Sequence, residues 1–163
     1  MAQSKSAQAL AWQLETVLSR EAHNLRALSE SKAQERPAQA GWSRKEELGH
    51  LIDSAVNNHV RFVAASLQTQ FQGPGYAQDG WVTAHGYHEI PLTTLIDFWE
   101  SQNTLLVAVV QRIPEEKLAV PCQVGNEATA TLGFLIDDYI VHMQHHLDHL
   151  LGREKVTPYP QVV

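Results

Sequence analysis

The sequence predicts an all-α protein, an antiparallel four-helix bundle with a long loop between its second and third helices. Four segments repeat apolar residues at steps of three and four, which is the pattern of amphipathic helices. No segment alternates apolar and polar residues for long enough to indicate a strand. The 163 residues, 44% of them hydrophobic and 18% charged, fit one packed core, so we predict a single domain over residues 1–163.

The first two helices lie on either side of a polar, Ala-rich connector. The first is predicted from about Lys5 to about Ser31. Its apolar stripe consists of Leu10, Leu14, Val17, Leu18, Leu25 and Leu28. The second is predicted from Ser43 to about Thr69. Ser43 followed by Glu46 three residues later is the sequence of a capping box, which favours a helix start at this point.

The segment 71–91 predicts a long loop, because it contains four glycines and two prolines. Loops of this length in compact domains are usually functional or disordered. This one also carries two tyrosines, one tryptophan and two histidines, His85 and His88. Its composition therefore favours a function, or at least packing over another part of the protein, and the two histidines could reach a metal ion from the loop.

The third and fourth helices follow the loop. The third is predicted from Pro91, since the first turn of a helix tolerates proline, to about Ile113. Pro114 then either ends the helix or starts a short extra turn in "PEEKL". The fourth helix is predicted to be capped by Thr129 or Thr131 and closed by Gly152.

Composition and charge narrow the class of protein. A net charge of −6 and a pI of about 5.8 argue against nucleic-acid binding. No apolar run approaches the length of a membrane span, and a single cysteine, Cys122, fits a reducing compartment, so we expect a cytoplasmic protein. The wide apolar stripes of the first and third helices serve either the core or a homodimer interface.

The stretch "YIVHMQHHLDHLLG" in the fourth helix holds four of the nine histidines. On a helical wheel, His142 and His146 lie on neighbouring turns at the edge of the apolar stripe, whereas His145 and His149 lie further toward solvent. An i,i+4 histidine pair can hold one metal ion. A catalytic zinc-type site normally needs three protein ligands and keeps a further position open. A third ligand must therefore come from another part of the chain.

The second helix offers His50 and His59. His59 lies within the apolar stripe, which favours a core role. His50 lies in a polar row that faces either solvent or a wet cavity. The other members of that row are Glu46, Ser54, Asn57 and Arg61.

The two histidine-bearing segments together resemble a known family. "GWSRKEELGHLIDSAVNNHVRF" resembles the second helix of the DinB/YfiT-like superfamily of metal-binding four-helix bundles, and "YIVHMQHHLDHL" resembles its last-helix signature. The family usually has tryptophan where this chain has Val141. The resemblance implies that His50, His142 and His146 are the metal ligands. It also implies a small-molecule substrate and a low-molecular-weight thiol as co-substrate in some members.

Candidate catalytic groups surround these ligands. Asp53 could orient His50, act as a base or be an ordinary surface carboxylate. Arg61 could bind an anionic substrate or form a salt bridge. His145 and His149 could act in acid–base chemistry or simply belong to a solvated helix face.

Asp138 has two possible roles. It lies one turn before His142 and could accept a hydrogen bond from that ring, as in carboxylate–histidine–metal arrangements, or it could be an ordinary surface carboxylate.

The leading hypothesis is a divalent-metal-dependent enzyme with a three-histidine site, either a hydrolase or a low-molecular-weight-thiol S-transferase. Zinc or nickel suits imidazole ligands. The alternative is a non-catalytic metal-binding or partner-binding helical bundle. A fourth protein ligand, such as His145 or His149, would favour that alternative, and an open coordination position would favour the enzyme.

Overall fold

Four long helices form the bundle that the sequence predicts. The computed structural model describes residues 5–37 and 41–160. The helices are α1 (Ala7–Arg26), α2 (Glu30–Gln34), α3 (Arg44–Ser66), α4 (Gln78–His85), α5 (Leu92–Val110) and α6 (Leu132–Leu150). The long members α1, α3, α5 and α6 correspond to the four predicted helices. In the described residues, no helix is both long and apolar enough to span a membrane.

The first predicted helix ends earlier than expected. Helix α1 ends at Arg26 rather than near Ser31. The side-chain oxygen of Ser29 accepts a hydrogen bond from the backbone N–H of Lys32, and so caps the separate short helix α2. A serine that satisfies a free N–H in this way starts a new helix, which is why one continuous helix was the wrong expectation here.

Helix α3 begins where the sequence predicts. Ser43 is its N-cap: Ser43 Oγ accepts from the N–H of Glu46, and the Glu46 carboxylate accepts from the N–H of Ser43. This reciprocal pair confirms the capping box. The helix ends at Ser66, three residues before the predicted Thr69, because the chain turns there to enter a strand.

The segment 71–91 is more ordered than a loop. It contains the strand β1 (Phe71–Gly73), then α4, then a 3₁₀ turn at Tyr87–Glu89. Gly86 ends α4 with a φ of +61°, a left-handed conformation that favours glycine. The prediction of an irregular loop was therefore wrong for most of this segment.

Strand β1 belongs to a small sheet that the sequence did not predict. It pairs in parallel with β2 (Pro121–Val124), and β2 pairs antiparallel with β3 (Ala130–Thr131). Strands of two to four residues are too short to show an alternating pattern, so periodicity could not reveal them. The sheet ties the connection after α3 to the connection before α6.

The last two long helices largely follow the prediction. Pro91 is the N-cap of α5, which ends at Val110 rather than near Ile113, and a 3₁₀ turn follows Pro114. Thr131, one of the two candidate caps, accepts from the N–H of Phe134 and starts α6. Gly152 follows the end of α6 with a φ of +70°.

Helix α3 lies at the centre of the packing, against α5 on one side and α6 on the other. Its residues 47–55 are all buried. The apolar members pack into a core with fully buried side chains such as Phe62, Trp99 and Ile136. The polar members, Glu47 and His50 among them, are buried as well. The polar row of this helix therefore faces the protein interior at His50 and Ser54, and its remaining members are half-buried.

Candidate metal centre

Three histidines from two helices meet between α3 and α6. His50 Nε2 lies 3.1 Å from His142 Nε2, although the residues are 92 positions apart. The ring centroid of His146 lies 4.7 Å from that of His50 and 4.6 Å from that of His142. One nitrogen from each of the three rings lies within 4.8 Å of the other two. The structure thus brings together the three residues that the family resemblance implied as ligands.

Burial keeps two of these rings neutral. His50 is fully buried, and the Trp42 ring covers it at a centroid distance of 4.9 Å. Burial, with the nearby His146, lowers the pKa of His50 to about 3. Burial, with the surrounding histidines, lowers the pKa of His142 to about 2. Neutral imidazole is the form that binds metal ions, so these two rings need lose no proton to act as ligands at neutral pH.

Glu47 supplies the carboxylate behind the cluster. His146 Nδ1 lies 2.9 Å from Glu47 Oε1, and His149 Nδ1 lies 2.9 and 3.0 Å from the two carboxylate oxygens. A carboxylate only accepts, so each Nδ1 carries the proton and donates it. In the neutral His146 ring, Nε2 then keeps its lone pair for a metal ion. Sequence reasoning missed Glu47, although its position three residues before His50 places both on one side of α3.

Asp138 pairs with a tyrosine and not with His142. Its Oδ2 accepts a hydrogen bond from the Tyr159 hydroxyl at 2.7 Å, and no hydrogen bond joins it to His142 among the described residues. The Tyr159 ring instead packs edge-on against the His142 ring, with centroids 5.1 Å apart. Of the two roles considered for Asp138, orientation of His142 is therefore not observed, and Asp138 instead holds Tyr159 of the C-terminal segment beside the cluster.

His145 and His149 are both occupied outside the cluster. His145 Nδ1 donates to the backbone oxygen of Thr157 at 2.7 Å. His149 is half exposed and donates to Glu47. Neither joins the three-histidine group in the described residues. Thr157 is itself held by Asp148, which accepts from its N–H and its hydroxyl.

The other polar candidates lie along α3. Asp53 is buried rather than on the surface, and its Oδ1 accepts from the Tyr87 hydroxyl at 2.6 Å instead of contacting His50. Arg61 donates to the backbone oxygen of Pro74 at 3.1 Å, and no ion pair of the described residues includes it.

The three remaining candidate histidines also lie outside the cluster. His59 is half-buried with its Nδ1 3.1 Å from Gln102 Nε2. His88 Nδ1 lies 2.9 Å from the Ser43 hydroxyl, and His85 Nδ1 lies 3.0 Å from the Trp81 backbone oxygen. None of them belongs to the group of converging ring nitrogens.

The donor set fits a divalent metal ion. Nitrogens that share one zinc ion at about 2.0–2.1 Å in tetrahedral geometry lie about 3.3 Å apart. The 3.1 Å separation of His50 Nε2 and His142 Nε2 is close to that value. One cation could bind a nitrogen of each of the three rings at once, because the three nitrogens lie within 4.8 Å of one another.

The comparisons with known proteins agree with this architecture. The family model of the DinB superfamily matches residues 13–150. The solved structure of YfiT from Bacillus subtilis, described as "a probable metal-dependent hydrolase with an unusual four-helix bundle topology", has the same fold, with a TM-score of 0.81 and 16% sequence identity over 90% of this chain and 84% of that chain. No curated protein matches the sequence. Because the family model spans most of its length, the chain belongs to the DinB superfamily.

Proposed function

We propose that the protein is a divalent-metal-dependent enzyme, with hydrolysis of a small-molecule substrate as the leading reaction. The observation that carries this proposal is the convergence of His50, His142 and His146, with Glu47 behind His146. The description of YfiT as a probable metal-dependent hydrolase supports hydrolysis as the first choice. Transfer to a low-molecular-weight thiol is the second, because both reactions need the same activation of a nucleophile.

Each residue of the centre has a role that its contacts support. His50, His142 and His146 would hold the ion, and zinc or nickel suits three imidazoles. Glu47 keeps the proton of His146 on Nδ1 and so directs Nε2 toward the ion. Trp42 covers His50 and excludes water from that side. A divalent ion bound there would supply a Lewis acid that lowers the pKa of water or of a thiol near neutrality.

The contacts of the neighbouring histidines favour an enzyme over a structural site. A structural zinc site usually has four protein ligands, whereas a catalytic site has three. The nearest candidates for a fourth ligand, His145 and His149, donate to Thr157 and Glu47 instead. Three protein ligands would leave a coordination position for a substrate or a nucleophile. Asp53, Arg61, His145 and His149 remain candidates for the proton-transfer and substrate-binding steps.

Metal analysis of the purified protein tests the ligand set. We expect a bound divalent metal in the native chain and its loss in His50→Gln, His142→Gln and His146→Gln after washing with chelator. His23→Gln, at an exposed position of α1, is the matched control and should keep the metal. Circular dichroism would show that each variant is folded. Full metal retention in all three cluster variants would contradict the proposed ligand set.

Activity assays separate the two reactions. The metal-loaded protein would be assayed against ester and amide substrates without thiol, and against electrophilic acceptors with a low-molecular-weight thiol. Metal-dependent turnover in the first assay, abolished in His142→Gln, is the expected result. Turnover that strictly requires the thiol would replace the hydrolase with the transferase. A metal-loaded protein that is inactive in both assays would favour the non-catalytic metal-binding bundle.

A further inference from the structure

A second concave site borders helix α3. It is a pocket of about 310 Å³ between α3, α4, the 3₁₀ turn and the first turns of α5. Small-molecule pockets in proteins have volumes of about 300–1,000 Å³, so this one has room for a small ligand. Its main apolar walls are Ile52, Val56, Trp81, Ile90, Leu95 and Phe98. None of the three clustered histidines contributes to it.

The rim of the pocket exposes apolar surface. Phe98 of α5 is 52% exposed and lines the pocket. Single exposed apolar side chains are common on protein surfaces. Phe98, however, also lines a cavity, and small-molecule pockets are lined mainly by hydrophobic and aromatic side chains.

A small polar network stands at one wall of the pocket. The Tyr87 hydroxyl donates to Asp53 Oδ1 at 2.6 Å, and His85 Nδ1 lies 3.3 Å from the same oxygen. Gly49 makes this placement possible, because a Cβ there would lie 2.0 Å from the Tyr87 ring. The Tyr87 ring therefore rests directly on the backbone of α3, with its hydroxyl held at the carboxylate.

The network determines which nitrogen of His85 is free. His85 Nδ1 lies 3.0 Å from the backbone oxygen of Trp81 and faces the Asp53 carboxylate. Both groups are acceptors, so Nδ1 carries the proton. The neutral ring then offers Nε2 as a hydrogen-bond acceptor, and no hydrogen bond of the described residues uses it. His85 lines the pocket and is half exposed, so a ligand there can approach this ring.

We propose that this pocket binds a small, uncharged, largely apolar molecule and that His85 accepts a hydrogen bond from the ligand's single donor group. The volume and the apolar walls of the pocket favour a ligand with a small apolar body. Because His85 carries its proton on Nδ1, its Nε2 favours a ligand that donates a hydrogen bond, such as an alcohol or a phenol. In mostly apolar pockets, a few precisely placed polar groups usually fix the orientation of the ligand.

Binding of 2-phenylethanol and of its methyl ether tests the proposal, because only the alcohol can donate. Calorimetric or NMR titration of the purified full chain should show saturable binding of the alcohol, with about three- to tenfold lower affinity for the ether, as expected for one hydrogen bond. His85→Ala should remove that preference, and His23→Ala should keep it. If Thr94→Val, at another polar side chain that lines the pocket, removes the preference and His85→Ala does not, the assignment to His85 is wrong.

Two further variants test the place of binding. Phe98→Ala should weaken binding of the alcohol, whereas Phe134→Ala, at an equally exposed phenylalanine of α6, should not. Val56→Trp should fill the pocket and abolish binding. Absence of saturable binding in the native protein, or equal affinity in Phe98→Ala and Phe134→Ala, would overturn the proposal. Because no pocket residue belongs to the histidine cluster, failure of metal binding would leave these results unchanged.

Discussion

Glu47 and His146 are 99 positions apart in the chain, yet Oε1 of Glu47 lies 2.9 Å from Nδ1 of His146. This hydrogen bond joins α3 to α6 at the candidate metal centre. It also links the carboxylate, through His146, to the site at which His50 and His142 converge. The packing of α3 against α6 therefore fixes the tautomer of His146, one of the three clustered histidines.

Replacement of Glu47 should weaken metal binding without removing a ligand. In Glu47→Gln the amide no longer compels His146 to keep its proton on Nδ1, so part of the protein would present a protonated Nε2. We expect metal affinity to fall about 10- to 100-fold, the usual effect of losing such a partner. Competition with a chromophoric chelator would measure it. Glu15→Gln, at an exposed site of α1, is the control, and equal affinities in the two variants would exclude an orienting role for Glu47.

Glu21 should make stability depend on pH in the acid range. Burial alone would raise its pKa, but hydrogen bonds from Arg153, Asn24 and Arg20 outweigh burial and lower the pKa to about 2 from the ordinary value of 4.5. A lowered pKa in the folded state stabilises the fold above pH 4.5, and this contribution is lost as the pH falls toward 2. The shift corresponds to about 3 kcal/mol.

Urea unfolding between pH 6 and pH 2 would measure this contribution. The native protein should lose more stability than Glu21→Gln as the pH falls, so that the two curves converge near pH 2. The variant's deficit should be largest above pH 5. A constant difference at every pH would contradict the assignment to Glu21 ionisation. Glu15→Gln should follow the native curve, because its side chain is exposed.

Gly49 should resist replacement by any residue with a side chain. A Cβ at this position would lie 2.0 Å from Cδ2 of Tyr87, so the ring and the 3₁₀ turn that carries it must move. We expect Gly49→Ala to destabilise the fold by about 1–3 kcal/mol in urea unfolding. Gly80→Ala within α4, where the nearest atom would be 3.6 Å away, should be neutral or slightly stabilising. Equal stability of the two variants would show that Tyr87 moves at no cost.

The hydroxyl of Tyr139 should stabilise the centre of the bundle. It donates to Asn103 Oδ1 at 2.5 Å, and both side chains are buried. In Tyr139→Phe the buried amide oxygen loses its donor, so a loss of about 1–3 kcal/mol is expected by thermal or urea unfolding. The double variant Tyr139→Phe with Asn103→Leu should recover part of this loss. Additive losses in the double variant would show that the two groups act independently.

Short-range patterns in the sequence determined most of the helical architecture. The capping box at Ser43 and the glycine after α6 are short-range signals, and the helices begin or end beside them. Apolar periodicity separated the inward pair, His142 and His146, from His145 and His149. The small sheet and the break before α2 escaped prediction, because strands of two to four residues and a single serine cap leave little periodic signal.

The sequence by itself determined the four-helix bundle and, through two family-like motifs, the three clustered histidines. The environment of those residues was decided only by tertiary structure. Residues 47–55 of helix α3 are buried on the polar side as well as the apolar side, so His50 faces inward and Glu47 lies against α6. Asp53 accepts a hydrogen bond from Tyr87, and Asp138 accepts one from Tyr159; both tyrosines are distant in the chain from their partners. Helical periodicity states which residues share a face of one helix, whereas the group that meets that face depends on how the helices pack.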